Sequence, residues 1–186
     1  MSRSPLPPGQ RELARLPVRS VGEPPPFDGS YWSLTLSGEL DRPRVFTLAE
    51  LRAMSTFDLE ADFHAAAGWS VRGLRWRGAR LCDVLAAAGL RGTGRWLRAS
   101  DGQRYDSSLA LADALEPDVL LATGLAGADL PLEHGGPLRL LVPARYGWKS
   151  VKWLRALEVY PDERPGFWER RGFHPRGDPW KEERLS

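Results

Sequence analysis

Pro137–Trp153 reads PLRLLVPARYGWKSVKW. Its first half, Leu138 with Leu140, Leu141 and Val142, has the length and composition of a buried strand. Pro143 ends that strand, because it has no N–H to give to a ladder. The next nine residues, Arg145–Trp153, hold three cations (Arg145, Lys149, Lys152), the Ser150 hydroxyl, Gly147 and three large aromatics (Tyr146, Trp148, Trp153). Loops at strand ends are where sites are usually built. Arginine and lysine answer a phosphate, and aromatic faces cover a flat ring, so the stretch suits a flat anionic ligand. The same residues also fit a solvated basic loop with Trp148 and Trp153 turned into the core.

Working outward, 186 residues suffice for one domain with arms and a sizeable core. A hydrophobic content of 42%, a charged content of 27% and a net charge of +2 are ordinary for a globular chain and imply no polyelectrolyte partner. Basic residues are denser toward the C-terminal end, which favours a local anion site over a nucleic-acid groove. A single cysteine excludes an internal disulfide framework and fits a reducing compartment. The first residues show no apolar signal core and no twin arginine, and no run approaches membrane-spanning length. A cytoplasmic location with no membrane or nucleic-acid partner is therefore the expectation; the sequence is silent on oligomeric state.

Proline clusters from Met1 to Asp28, which predicts an extended arm wrapping the body rather than helix or interior strand. Tyr31–Leu36 alternates, with Trp32, Leu34 and Leu36 on one face, and predicts a strand. Thr47-x-x-Glu50 is a capping box opening a short helix through Met54. Phe57–Phe63 predicts a second strand running into a loop at 64–70, with a short strand at Leu74–Trp76. Leu81, Val84, Leu85 and Ala88 recur at helical spacing before Gly89. Asp101-Gly102 between Trp96–Ser100 and Arg104–Ser108 predicts a hairpin. A short helix is expected at Leu109–Leu115, and strands at Val119–Ala122, Leu138–Val142 and Leu154–Tyr160. Arg164–Ser186 is a polar, aromatic-bearing arm. Strands outnumber helices, which are too short for βαβ crossovers, so the expectation is a single α+β domain over 1–186 with a sheet-dominated core.

Several familiar chemistries lack support. Cys82 lies within the Leu81–Ala88 helix with nothing to activate it and reads as a small core residue. His64, His134 and His174 have no zinc spacing, although His64 and His134 sit in Gly-containing loops beside strands and suit single donors to a ligand. Ser70 and Ser150 are in no nucleophile elbow, and neither a dinucleotide fingerprint nor a P-loop is present.

Five blocks, in order, resemble the oxidoreductase molybdopterin-binding domain of the sulfite oxidase superfamily, in its small single-domain bacterial form. They are Asp62-Phe63-His64 with Gly68-Trp69-Ser70; Ser100-Asp101-Gly102 with Tyr105-Asp106-Ser107; Leu130-Pro131 through Glu133-His134-Gly135 to Pro137-Leu138-Arg139; Val142-Pro143 through Arg145-Tyr146-Gly147 to Lys149-Ser150-Val151-Lys152-Trp153; and Arg164-Pro165-Gly166-Phe167-Trp168. The similarity starts near Leu6 and covers most of the chain. It implies the family's mixed α+β fold, a β-rich core with short helices holding one molybdopterin. It also implies that His64, Ser70, His134, Arg139, Arg145, Lys149, Ser150 and Lys152 serve the pterin and its phosphate, with Trp69 and Tyr146 as walls. Tyr105, Asp106 and Arg145 fall where the family approaches metal and substrate, a small oxo-compound; electrons would pass to a separate partner.

One position departs from the resemblance. The family places a cysteine, its protein ligand to molybdenum, directly after the Phe-His pair, and here that residue is Ala65. A methyl group cannot coordinate a metal, and Cys82 is placed on a separate helix. The expectation is a molybdopterin-dependent oxidoreductase performing two-electron oxygen-atom transfer, with molybdenum occupancy left open by Ala65, whether that alanine is natural or introduced. The alternatives are a non-catalytic protein that retains the fold, or a plain basic pocket for another phosphorylated ligand.

Overall fold

The computed structural model describes residues 5–26, 31–54 and 56–186. The ends of the expected N-terminal arm, residues 1–4 and Phe27 with Asp28, lie outside the described residues. Among the described residues, eleven strands form two sheets.

The first sheet is built on one long strand, β5 (Trp69–Arg80), with β1 (Arg11–Glu12), β4 (Phe57–Ala65) and β8 (Leu120–Leu125) paired to it. Beyond β8 lie β9 (Ala128–Asp129) and β10 (Arg139–Leu141). The second sheet runs β3 (Arg44–Thr47), β2 (Ser33–Gly38), β11 (Ala156–Tyr160), β6 (Trp96–Ser100) and β7 (Asp106–Ala110). Helices are short: α1 (Leu48–Ala53), α2 (Leu81–Ala88) and α3 (Leu111–Ala114).

Alternation explains the packing. Leu121 and Leu140 face the main core, shared with Leu34, Leu36, Leu97 and Leu157 of the second sheet. Their neighbours Leu120, Ala122 and Leu141 face a second cluster with Phe63, Trp69 and Trp76. A sheet buried on both faces needs apolar residues at every position, so its strands read as continuous runs. In β2, Leu34 and Leu36 are buried while Thr35 is exposed; Trp32, just before the strand, is buried and Tyr31 is 82% exposed.

The expected capping box forms: Thr47 Oγ1 accepts from the Glu50 amide at 3.2 Å, and Glu50 Oε2 accepts from the Thr47 amide at 2.7 Å. Thr47→Ala is expected to lower stability by about 1 kcal/mol, read as a shift of the urea midpoint at unchanged slope.

The expected loop at 64–70 and the short strand Leu74–Trp76 are corrected. β4 continues to Ala65, turns through Ala66, Ala67 and Gly68, and β5 begins at Trp69. Gly68 makes the turn with φ +82°, its amide bonded to the Ala65 carbonyl. A bulge sets Arg72 and Gly73 opposite Asp62, whose carboxylate accepts from the Gly73 amide at 2.9 Å. The 101–105 segment is likewise not a two-residue turn. Asp101 Oδ1 accepts from the amides of Gln103, Arg104 and Tyr105, making a wider loop. The expected helix Leu109–Leu115 shrinks to α3, because Leu109 and Ala110 pair with β6.

Both arms pack on this chain. Within the proline-rich arm, Arg11 and Glu12 add an edge strand parallel to β5 at Trp69 and Ser70. From the C-terminal arm, Arg184 Nη2 reaches the Gly9 carbonyl at 3.3 Å and Arg184 Nε the Tyr146 hydroxyl at 3.1 Å.

Candidate functional site

A cavity of about 680 Å³ opens at the end of the first sheet, where the β4–β5 turn, the 101–105 loop, the turns flanking β10 and both arms converge. The register decides which residues of the hairpin reach it. Successive strand residues point to opposite faces. Phe63, Ala65 and, across the ladder, Trp69 line the cavity, whereas His64 and its partner Ser70 turn away. His64 Nδ1 lies 2.8 Å from Ser70 Oγ, which donates to Gln10 Oε1 at 3.1 Å. Burial holds the His64 imidazole below its ordinary pKa. This relay ties the N-terminal arm to the hairpin behind the cavity wall, so the expectation that His64 and Ser70 line the site is corrected.

Arg139, on β10, is 2% exposed and lies 5.3 Å over the rings of both Phe63 and Trp76. Its Nη1 donates to the His134 carbonyl at 2.8 Å and its Nη2 to the Ser150 carbonyl at 2.9 Å. Burial pulls its pKa down to about 10. The bonds join the turn before β10 to the turn after it, and Arg139, His134 and Ser150 all line the cavity. Ser150 Oγ accepts from the Val142 amide at 2.9 Å.

Lys152 projects into the cavity between the N-terminal arm and the Glu133 turn. Its Nζ donates to Ser20 Oγ at 3.1 Å and to the Glu133 carbonyl at 2.6 Å. Burial first, then the neighbouring Arg139 guanidinium, lower its pKa to about 8. The same burial, with Lys152 beside it, lowers the pKa of His134, which is therefore a neutral ring near pH 7. Tyr105 completes this wall; its hydroxyl donates to the Trp148 carbonyl at 2.5 Å, and burial pushes its pKa well above the usual value.

Besides His64 and Ser70, four further expected site residues do not line the cavity. Arg145 donates to both carboxylate oxygens of Asp113, Nη2 at 2.6 Å and Nε at 3.0 Å, in a nearly buried pair. Pro143 and Ala144 turn the chain there, so Arg145 faces α3 rather than the cavity. Lys149 is buried against Glu169 and the Ser108 carbonyl at 2.7 Å. Asp106 is held between Arg98 at 3.0 Å and Arg170 at 2.9 Å. Tyr146 is fully buried and stacks on Trp148 at 5.2 Å, supporting from behind the ring that does line the cavity.

The structure adds lining residues that the sequence reading did not assign. Arg11, Leu16, Pro17, Arg19 and Ser20 of the N-terminal arm form one side, and Trp168 and Phe173 of the C-terminal arm another. An arm without periodicity offered no signal for which of its side chains turn inward. Gly147 is required where it stands, because a Cβ there would fall on the Phe63 ring that forms the cavity wall.

Three lining residues carry a buried donor or acceptor nitrogen with no partner among the described residues: Arg139 Nε, His134 Nδ1 and Trp148 Nε1. Buried polar atoms are rarely left without a partner, so these fit a ligand rich in hydrogen-bonding groups. Four cations line the space (Arg11, Arg19, Arg139, Lys152) against one carboxylate, Asp101, already occupied by three amides. Among the described residues no cluster of three or more His, Cys, Asp or Glu suits a metal ion. Among the described residues no helix is long and apolar enough to cross a membrane.

The family model described as oxidoreductase molybdopterin binding domain matches residues 21–168. The chain is 35% identical over 182 residues to the uncharacterized oxidoreductase YuiH of Bacillus subtilis (strain 168), covering 97% of this chain and 92% of that protein. It is 43% identical over 117 residues to the mitochondrial sulfite oxidase of Homo sapiens, covering 56% of this chain but only 22% of that protein. Among solved structures, the sulfane dehydrogenase SoxCD from Paracoccus pantotrophus superimposes with a TM-score of 0.68 at 26% identity, over 80% of this chain and 42% of that one. The mixed, β-rich core with two sheets and short helices is shared with that structure.

Proposed function

The chain belongs to the oxidoreductase molybdopterin-binding family, and on that footing we propose that its cavity holds one molybdopterin for two-electron oxygen-atom transfer to or from a small oxo-substrate. The observation that carries this reading is the lining itself. A space of about 680 Å³ with four cations, one committed carboxylate and three unpartnered polar nitrogens is built for an anionic heterocycle.

Each residue has a task that follows from its setting. Arg139 has five N–H donors and gives one each to two carbonyls, so further donors remain for the ligand's phosphate or pterin oxygens. Lys152, near enough to Arg139 for the guanidinium to lower its pKa, adds a second charge. Neutral His134 and the Trp148 indole offer directional hydrogen bonds, and Trp69, Trp153 and Trp168 cover flat faces. Tyr105, kept protonated, positions the Trp148 carbonyl and presents a neutral oxygen to the cavity.

When bound, the cofactor supplies the redox chemistry through its metal. At the position where the family pattern has a cysteine, Ala65 lines the cavity, and Cys82, the chain's single cysteine, lies on α2 outside the lining. No cysteine lines the cavity, so this chain would offer no thiolate to a molybdenum bound there. Ala65 also supports a second reading, in which the protein binds the cofactor without turnover. Electrons pass in the first reading to a separate redox protein, with the chain acting in the cytoplasm.

Metal analysis paired with pterin fluorescence after oxidation tests binding in protein from a host that makes the cofactor. Stoichiometric pterin is expected; its absence from well-folded protein would sink the reading. Ala65→Cys then separates the two forms. A gain of dye-linked oxidase or reductase activity from nothing assigns the natural chain to the binding form, and equal activity in both assigns it to turnover.

Lys152 adds a pH signature. An anion needs the ammonium form, which the cavity-bound amine loses as pH rises through about 8. Inorganic pyrophosphate, standing in for the cofactor's phosphate, is expected to bind cofactor-free protein about tenfold more weakly at pH 9 than at pH 7 by calorimetry. Lys152→Met should remove that step.

A further inference from the structure

Gln10 is tied to both limbs of the turn that joins β4 to β5. Its Nε2 donates to the Ala65 carbonyl at 3.2 Å, and its Oε1 accepts from Ser70 Oγ at 3.1 Å. Ala65, Ala66, Ala67 and Trp69 of that turn line the cavity, whereas Gln10 does not. The side chain arrives from outside residues 21–168, the stretch that matches the family model. Both arms deliver it. The Gln10 amide bonds to the Pro7 carbonyl at 3.3 Å, with Gly9 at φ +65° between them. A Cβ on Gly9 would lie 2.7 Å from Arg184 Nη2, which instead donates to the Gly9 carbonyl at 3.3 Å. The C-terminal arm thus clamps the turn that presents Gln10.

The chemistry of these atoms fixes every proton in the relay. A carbonyl can only accept, so the amide nitrogen of Gln10 faces Ala65 and its oxygen faces Ser70. The serine hydroxyl has one proton and gives it to that oxygen. The 2.8 Å contact between Ser70 Oγ and His64 Nδ1 therefore takes its proton from the ring. His64 is the Nδ1–H tautomer, and the bonds run one way, from His64 through Ser70 to Gln10 and on to the Ala65 carbonyl.

We propose that Gln10 is a positioning residue for the site: it sets residue 65 against the ligand in the cavity and, through Ser70, sets the His64 tautomer. The proposal rests on the cofactor reading above, since that cofactor is the ligand whose contact with the turn Gln10 tunes. Binding sites hold their contacting groups in place with hydrogen bonds from the layer behind, and a displacement of about 1 Å is enough to weaken them. The turn keeps its own bond from the Gly68 amide to the Ala65 carbonyl at 3.0 Å. The arm keeps its backbone bonds, Arg11 amide to Gly68 carbonyl at 3.0 Å and Leu13 amide to Ser70 carbonyl at 2.8 Å. Loss of the Gln10 side chain should therefore shift the turn without unfolding it.

Two variants separate the two bonds. Gln10→Glu keeps an oxygen for Ser70 and loses the donor to Ala65; Gln10→Leu loses both. Nitrogen NMR of the histidine rings at about pH 8, where burial leaves His64 neutral, reads the tautomer, with His64→Gln assigning the signal. The natural chain and Gln10→Glu should show Nδ1–H. Gln10→Leu should change to Nε2–H as the freed serine hydroxyl turns to donate to Nδ1. Position is read by the rate at which pterin leaves the loaded protein and by hydrogen exchange of the Gly68 amide. Both should be about tenfold faster in Gln10→Glu than in the natural chain, with cooperative urea unfolding retained. An unchanged tautomer in Gln10→Leu, or unchanged pterin release or Gly68 exchange in Gln10→Glu, would overturn the proposal. Pterin missing from the natural chain would overturn the cofactor reading instead, and the tautomer and the Gly68 exchange would still decide the role of Gln10.

Discussion

Arg139→Met should leave a folded protein that has lost the cofactor. The two effects separate because opposing terms nearly cancel in one and add in the other. Methionine removes hydrogen bonds to the His134 and Ser150 carbonyls, and leaving two buried acceptors unmet costs about 1–3 kcal/mol each. It also removes a buried charge. Burial pulls the guanidinium pKa down to about 10, so desolvation works against that charge. Methionine also keeps the apolar contact with Phe63 and Trp76 that the arginine stem and guanidinium make. The net loss of fold stability is expected to stay within about 3 kcal/mol, measurable by urea denaturation.

Cofactor retention has no such compensation. A buried, hydrogen-bonded charge facing an anionic ligand typically contributes about 2–5 kcal/mol to binding, which is a loss of roughly thirtyfold to several thousandfold on truncation. Pterin should therefore be nearly absent from purified Arg139→Met while its circular dichroism and cooperative unfolding persist. Full pterin content in this variant would show that the guanidinium is purely a brace between the two turns.

That residue also shows how far the sequence could be read. Arg139 interrupts an apolar run, and the run itself declared a strand buried on both faces; what it could not declare was where a charge inside such a strand points. Period-two alternation answers that only once the register is known. The family resemblance assigns His64, Ser70 and Trp69 to one site, and the ladder puts Trp69 on the cavity face and His64 and Ser70 on the other. The capping box at Thr47 and the helix before Gly89 were legible because their signals are local. Arg145 and Lys149 were not, because their partners, Asp113 and Glu169, are distant in sequence and lie on elements with no pattern connecting them. The arm carried the least signal: a proline-rich stretch announces extension but not which side chains it turns inward.

The largest loss of stability is expected from Lys149→Met. Lys149 is 1% exposed and Glu169 is 3% exposed. Burial lowers the Lys149 pKa, so the ammonium persists only through what surrounds it: Glu169 and the Ser108 carbonyl. Ser107 Oγ donates to the same Glu169 oxygen at 3.1 Å, while Glu169 Oε2 has no partner among the described residues. Removing the lysine leaves a carboxylate buried with one hydroxyl to hold it, and breaking such a pair from one side costs about 3–5 kcal/mol. The consequence reaches the site, because Glu169 follows Trp168 and the pair fastens the C-terminal arm to the turn Gly147–Lys149, both of which line the cavity. Lys149→Met should therefore shift the urea midpoint sharply and expose the arm to proteolysis. Glu169→Met should do comparable harm by stranding the ammonium. The double variant decides what the pair is for. Two apolar side chains of similar length can occupy the same space, so the double variant should recover most of the loss, giving a coupling energy of about 2–3 kcal/mol across the cycle. If each single variant lies within about 1 kcal/mol of the natural chain, then the arm is held by its other contacts, Arg170 on Asp106, Arg184 on Tyr146 and the rings of Trp168 and Phe173, and the ion pair is incidental to the cavity they close.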